Sequence, residues 1–358
     1  MSDVLVTGGG SGGHVAPAIA VGQRLQASGS DVVFVGSNSG LEKTMVEPAG
    51  LRYRGVSAGK LRRYFSWQNV SDAVRVLAGL VQALWVVWRE RPLVVFSKGG
   101  FVAFPVVVAA WVWRIPVVAH ESDATQGLAN RLSAPFVRTL CTGFPHTKAG
   151  RFKGRFVYAG APLRPELLRG DARAGRVLAG ADEQRHVLLV TGGSLGADAL
   201  NEALLGALSR LEALGWFVIH ITGAGKRRGS DSDSYRAFEF VSEGWADLLA
   251  AADVVVSRAG ANTVFELLAL GKPNLLVPLP ATGSRGDQLD NAQYAQSLGY
   301  SSVLPQESLN SERLIAEITS LWQTIDQSRA HLAGFERPDA LATIEAELRR
   351  LAPALPAT

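Results

Sequence analysis

Short apolar runs that stop at glycine or a small polar residue recur along the chain, with helical stretches between them. Val4-Leu5-Val6 runs into Thr7-Gly8-Gly9-Gly10-Ser11-Gly12-Gly13, Asp31 to Val35 into Gly36, Leu93 to Ser97 into Lys98-Gly99-Gly100, and Ile115 to Ala119 into His120-Glu121. Val187 to Thr191 precedes Gly192-Gly193-Ser194-Leu195-Gly196, and Phe217 to Ile221, Val254 to Ser257 and Asn274 to Pro278 follow. A brief, almost continuous apolar run bounded by glycine is what a parallel strand covered on both faces requires. Ala16 to Ala27 instead shows helical spacing. The alternation predicts an α/β protein with parallel sheets. Val6-Thr7-Gly8-Gly9 and Val190-Thr191-Gly192-Gly193 open two similar halves, so the chain reads as two doubly wound domains with a cleft between them. The boundary is expected near Gly160-Ala161-Pro162 or in the irregular polar stretch up to Gln184. In such sheets ligands sit beyond the carboxyl ends of the strands, where these polar clusters fall.

One predicted helix, Ser71 to Glu90 with Ser71 and Asp72 at its cap, is apolar almost all round. Val74, Val76, Leu77, Leu80, Val81, Leu84, Trp85, Val86, Val87 and Trp88 lie on it, interrupted by Arg75, Gln82 and Arg89. One face can pack on a sheet, which leaves the other exposed and apolar, the mark of a binding surface. Its length would suit a membrane span, but Arg75, Gln82 and the βα context argue against one. Trp111, Trp113 and Arg114 add the mixture of tryptophan and cation that suits a membrane interface. Leu80, Leu84, Trp85, Trp88, Trp111 and Trp113 are therefore the candidate membrane-facing residues. A core helix with a dimer contact is the competing reading.

Composition narrows this picture. The 358 residues are 47% hydrophobic and 19% charged, a globular balance, and the length suits two domains. A single cysteine, Cys141, excludes a disulfide framework or thiolate metal site and fits a reducing compartment. The N-terminus lacks the layout of a signal peptide. Net charge is only +4, yet residues 51 to 70 hold Arg52, Arg54, Lys60, Arg62 and Arg63 with no acid. Such a patch suits an anionic membrane, a nucleic acid or a phosphorylated substrate; a solvated loop is the plain alternative.

The glycine-rich turns are candidates for phosphate binding, because backbone N–H groups and a helix N-terminus meet there. A dinucleotide site would need an acid at the end of the second strand, but Gly36-Ser37-Asn38-Ser39 stands there. The full P-loop pattern is absent as well. His14, at a helix start, is disfavoured as a cation and so is a candidate general base; a capping or packing histidine is the alternative. In the second turn Ser194 offers a hydroxyl to a diphosphate. Asp231-Ser232-Asp233 lies in a polar loop and reads as solvent-exposed rather than metal-binding.

Taken in order, the motifs form a pattern. Gly8 to His14, Phe96-Ser97-Lys98-Gly99-Gly100-Phe101, His120-Glu121-Ser122-Asp123, Gly127-Leu128-Ala129-Asn130, Gly192 to Gly196, Ser257 to Asn262 with Glu266, and Arg285 to Asn291 resemble the MurG family of transferases in glycosyltransferase family 28, nearly end to end. The resemblance implies a GT-B fold, with two Rossmann-like domains facing across a cleft. Residues 1–160 would form the acceptor and membrane domain and 161–358 the UDP-N-acetylglucosamine domain, with the last helix a candidate for crossing back.

It also implies inverting transfer of N-acetylglucosamine from UDP to the muramyl 4-hydroxyl of lipid I, on the cytoplasmic face of the plasma membrane. The implied partners are UDP-N-acetylglucosamine, lipid I, an anionic membrane surface and a cell-wall synthesis complex, with no nucleic acid, no cofactor and no essential metal. Glu266 would hold the ribose, Ser194 the diphosphate, the Val241 backbone the uracil, Gln288 and Asn291 the sugar hydroxyls, and Arg164 the nucleotide. Ser11, Gly12, Gly13, Asp123, Ala261, Asn262 and Thr263 complete the substrate-binding set. His14 and Asp123 are the base candidates, with His120 and Glu121 as orienting neighbours. Many members carry Asn at Asp123, Gln at Leu195 and Asn at Ala161. Asp123 and Leu195 resemble a Gram-positive branch, and a carboxylate at 123 accepts but cannot donate hydrogen bonds. A transferase with another lipid or natural-product acceptor, a UDP-N-acetylglucosamine 2-epimerase, a nicotinamide-dependent oxidoreductase and a non-catalytic UDP-sugar binder are the alternatives.

Overall fold

A computed structural model describes residues 2–58, 68–147, 150, 152–193, 196–282 and 286–356, and for residues 68–75 the backbone alone. The chain divides into two compact units: Met1–Arg164 with Pro338–Thr358, and Pro165–Arg337.

The first unit runs β1 (Val4–Thr7), α1 (Gly12–Ala27), β2 (Val32–Ser37), α2 (Glu42–Val46), β3 (Arg52–Val56), α3 (Gln68–Glu90), β4 (Val94–Ser97), α4 (Ala103–Val112), β5 (Val117–Glu121), α5 (Leu128–Ser133), β6 (Thr139–Thr142) and β7 (Arg155–Tyr158). Its sheet has the order β3-β2-β1-β4-β5-β6-β7. Val4 of β1 pairs in parallel with Val32 on one side and Val94 on the other, so the order reverses at β1/β4. Alternate residues of each strand enter different cores. Val4, Val6, Val32 and Phe34 join the core beneath α1, whereas Leu5, Val33 and Val35 join the one beneath α3 and α4. This two-sided burial is why the strands read as unbroken apolar runs.

The second unit runs α6 (Ala172–Ala179), β8 (His186–Thr191), α7 (Asp198–Ala213), β9 (Trp216–Ile221), β10 (Tyr235–Phe238), α8 (Trp245–Ala251), β11 (Val254–Ser257), α9 (Ala261–Ala269), β12 (Asn274–Leu276), α10 (Asp287–Ser297), β13 (Ser302–Val303), α11 (Ser311–Gln323) and α12 (Ile325–Ala333). Its order, β10-β9-β8-β11-β12-β13, reverses at β8/β11. A buried polar chain joins α7 to this sheet: His220 Nδ1 lies 2.9 Å from the Tyr235 hydroxyl and Nε2 lies 3.0 Å from Asn201 Oδ1. The Asn201 Nδ2 donates to the Thr222 carbonyl at 2.9 Å, so Oδ1 faces the ring and accepts. His220 therefore carries its proton on Nε2.

The closing helix α13 (Ala340–Leu351) belongs to the first unit. Ile344 and Leu348 are fully buried in the core that holds β1 and β2. Glu345 accepts from Arg24 at 2.8 Å and from Ser28 at 2.9 Å, and Glu347 accepts from Arg155 at 3.0 Å and Arg350 at 2.8 Å. Both carboxylates are nearly buried, so these contacts are less screened than surface ion pairs.

Some boundaries differ from the sequence expectation. The strand placed at Ile115 to Ala119 is Val117–Glu121, so His120 and Glu121 are its last two residues. The helix expected from Ser71 begins at Gln68. β3, β6, β7, β10 and β13 gave no legible apolar run; β3 and β7 are edge strands, largely open to solvent.

Candidate functional site

In the first unit both turns at the sheet reversal carry glycine. Ser11 is the exposed, extended N-cap of α1 and makes no side-chain cap bond; Gly12, Gly13 and His14 form the first turn. No acid lies in that turn, so the helix N-terminus keeps its preference for an anion. The facing turn after β4 approaches closely: Gly9 N donates to Gly99 O at 3.3 Å, and a side chain at Gly100 would run into the Gly9 carbonyl. With φ near +84° at Gly100, this position suits glycine alone.

A ring of polar groups surrounds this point. The buried Glu121 carboxylate receives the Gly127 amide at 2.8 Å, Asn130 Nδ2 at 2.9 Å and the Asp123 amide at 3.2 Å, so it organises the loop that carries Asp123. Asp123 and His14 are both half-buried. His120 is fully buried, its Nε2 bonded to the Gly160 carbonyl at 2.8 Å, which places the proton on Nε2. Burial, then repulsion from Lys98 and more weakly from His14, holds its pKa well below the usual histidine value. His120 therefore stays neutral and out of reach of solvent. Lys98 is also fully buried and donates to Ser122 Oγ. Burial lowers its pKa to about 8, with Glu121 and Asp123 pulling the other way. Sequence reading passed over Lys98 and the buried Glu42, which accepts from Gly10 N at 2.8 Å; a charge inside an apolar-glycine motif was the available signal.

In the second unit, Gly192 and Gly193 follow β8, and Ala197 caps α7 without a side-chain bond. Ser194, Leu195 and Arg285 lie outside the described residues. β11 adjoins β8, so α9 starts at the same reversal. Ala261, Asn262 and Thr263 are its first three residues, with no acid in the first turn and no side-chain cap. Glu266 stands half-buried one turn on, at positions i+4 from Asn262 and i+3 from Thr263, hence on one helix face. Gln288 Oε1 accepts from Leu279 N at 3.0 Å. Asn291 is fully buried, and its Nδ2 donates to Ala259 O at 3.1 Å, bracing the β11–α9 loop. Val241 is half-buried against the core, and Arg164 is exposed. Asp231 is engaged by Arg227 at 2.9 Å and Arg236 at 3.0 Å. Among the described residues no group of three or more His, Cys, Asp or Glu is placed to hold a metal.

The residues of the expected apolar surface differ in exposure. Trp85, Trp88, Trp111 and Trp113 are exposed by 51, 48, 55 and 46%, whereas Leu80 and Leu84 are half-buried and Leu84 packs on the core. Leu77 and Val81 are more exposed than either on the same helix. Arg89 lies over the Trp85 ring at 5.0 Å and Trp113 Nε1 donates to the Leu84 carbonyl at 3.1 Å. The basic stretch is less bare than its sequence: Arg52 pairs with Asp31 at 2.6 Å and Arg54 with Glu90 at 3.1 Å, while Lys60, Arg62 and Arg63 lie outside the described residues. Among the described residues no helix is long and apolar enough to cross a membrane.

Comparison with known proteins agrees with this architecture. Residues 4–142 match the glycosyltransferase family 28 N-terminal domain and 187–343 its C-terminal domain. A Legionella pneumophila (strain Paris) protein named UDP-N-acetylglucosamine–N-acetylmuramyl-(pentapeptide) pyrophosphoryl-undecaprenol N-acetylglucosamine transferase is 46% identical over 327 residues, 90% of each chain. A Geobacillus thermodenitrificans protein of the same name is 44% identical over 353 residues, 98% of this chain and 99% of its own. MurG of Acinetobacter baumannii shares the fold, with a TM-score of 0.75 at 24% identity over 98% of this chain and all of its own. The chain thus has the α/β fold of GT-B sugar transferases, and it belongs to glycosyltransferase family 28.

Proposed function

We propose that this enzyme transfers N-acetylglucosamine from its UDP-sugar, with inversion, to the muramyl 4-hydroxyl of lipid I, forming lipid II for peptidoglycan. The observation that carries the reading is the end-to-end likeness to relatives bearing that name, at 44% identity over 98% of the chain. In this reading the second unit takes the nucleotide sugar. Glu266 accepts both ribose hydroxyls, the Val241 backbone meets uracil, Arg164 meets the nucleotide, and the NH₂ of Gln288 meets the sugar. Ser194 and the N-termini of α7 and α9 receive the diphosphate. The first unit takes the acceptor, whose own diphosphate lies at Ser11, Gly12 and Gly13.

The reaction is one displacement. His14 or Asp123 removes the proton of the acceptor hydroxyl, and its oxygen bonds to the anomeric carbon. The bond from that carbon to the diphosphate breaks, and UDP leaves with the electron pair. The four tryptophans are read as the membrane contact, which seats the enzyme peripherally on the cytoplasmic leaflet where the acceptor's lipid tail remains. The test is transfer from radiolabelled UDP-N-acetylglucosamine to lipid I and to lipids lacking the muramyl peptide. Labelling of lipid I supports the reading; labelling of only the other lipids overturns it in favour of another acceptor.

A further inference from the structure

The buried Lys98 has no place in that displacement. It is fully enclosed, so its ammonium cannot touch a substrate without rearrangement of the turn. Among the described residues the ammonium makes one hydrogen bond, to Ser122 Oγ, although it has three donors. A buried cation with so few partners is a poor stabilising device, since desolvation costs several kcal/mol and an apolar residue of similar volume would pack better. Its surroundings are acid–base groups. Glu121 and Asp123 act on it by charge from the end of β5 and the following loop, and His120 feels both Lys98 and His14.

We infer that Lys98 is a positioning residue for the transfer step: it ties Ser122 to the end of β4 and supplies the positive field that keeps the adjoining Asp123 carboxylate ionised and in place. The inference rests on the proposed transfer reaction. Two links support it. Ser122 is the immediate neighbour of Asp123, so the ammonium fixes one side of that residue while Glu121, through the Asp123 amide, fixes the other. Lys98 itself stands directly before Gly99 and Gly100, whose turn adjoins the glycines leading to His14.

The test compares Lys98→Met and Lys98→Gln with the wild type in labelled-sugar transfer to lipid I across pH 5–9. Removing a nearby cation raises the pKa of a carboxylate or an imidazole. The acid limb of kcat is therefore expected to move upward by roughly half a unit or more in both variants, whichever of Asp123 and His14 is the base. The kcat is expected to fall at least about tenfold, because misplacement of a reacting group is costly. The KM for the UDP-sugar stays within about twofold, as its proposed binding residues, Arg164 apart, are on the second unit. Glutamine keeps a polar partner for Ser122, so it serves where methionine gives no folded protein, as judged by a cooperative thermal melt. Ser122→Ala, which leaves the charge, is expected to lower kcat without moving the acid limb. An unmoved limb in a folded Lys98 variant overturns the inference and leaves the transfer reading intact. A wild type that labels no lipid I sinks the reading, and the inference falls with it.

Discussion

Glu42 Oε1 takes the Gly10 amide at 2.8 Å while Oε2 takes the Ser37 hydroxyl at 2.7 Å, so one buried carboxylate on α2 pins the first glycine turn to the end of β2. Glu42→Ala strands both donors. Ser37 is buried while Gly10 is exposed; an unsatisfied buried group costs about 1–3 kcal/mol, so urea unfolding followed by tryptophan fluorescence is expected to show a loss of about that size. Glu42→Gln retains one acceptor and is expected to lose less. An unchanged midpoint for the alanine variant removes Glu42 from this role.

His14 stands in the first turn of α1, beside the neutral His120. A removed general base costs about 10²–10⁴ in rate. His14→Ala is expected to keep its thermal melt and its affinity for UDP-N-acetylglucosamine while kcat drops by at least about 10². Near-native turnover would pass the base role to Asp123.

Glu266 is assigned to the ribose diol. Loss of a charged hydrogen-bond partner is worth about 1.5–3 kcal/mol, or roughly 10- to 100-fold in affinity. Glu266→Ala is expected to weaken UDP binding by that factor in calorimetry. Binding of UDP at wild-type strength would place the ribose elsewhere.

Trp85 and Trp88 are each about half exposed on α3. Charged replacements there are expected to reduce co-sedimentation with anionic liposomes while transfer to a detergent-solubilised acceptor persists. Sedimentation equal to the wild type, or indifferent to salt in the wild type, would argue for a protein contact on this face.

His220, like His120, makes stability depend on pH. Burial lowers its pKa from 6.5 to about 4, so the folded protein binds fewer protons than the unfolded chain between those values. Stability is full above about 6.5 and falls as pH drops toward 4, by at most about 3 kcal/mol from this group. Tyr235→Phe, which removes the donor to Nδ1, is expected to cost about 1–2 kcal/mol at neutral pH. A flat wild-type stability profile across pH 6.5 to 4, measured against a His220→Gln variant, would contradict the burial argument.

The sequence by itself determined the two parallel sheets. Strands covered on both faces must be apolar throughout, and the runs at Val4, Asp31, Leu93, Val187, Phe217 and Val254 display this directly. It also placed the glycine turns at strand ends, because close backbone approach leaves no alternative to glycine. Edge strands such as Arg52–Val56 and Arg155–Tyr158 were invisible, since one side open to water removes the apolar signal. Only the tertiary structure decided charge pairing and burial at single positions. Arg52 and Arg54 meet Asp31 and Glu90, carboxylates distant in sequence. Leu84 packs on the core while Leu77 and Val81 turn out, because the packing of α3 fixes a rotation that an all-round apolar helix does not encode. Along the chain Asn291 reads as a sugar contact and Lys98 only as part of a glycine motif. They prove to be enclosed because burial is a property of the neighbours a fold brings together, not of the residue itself.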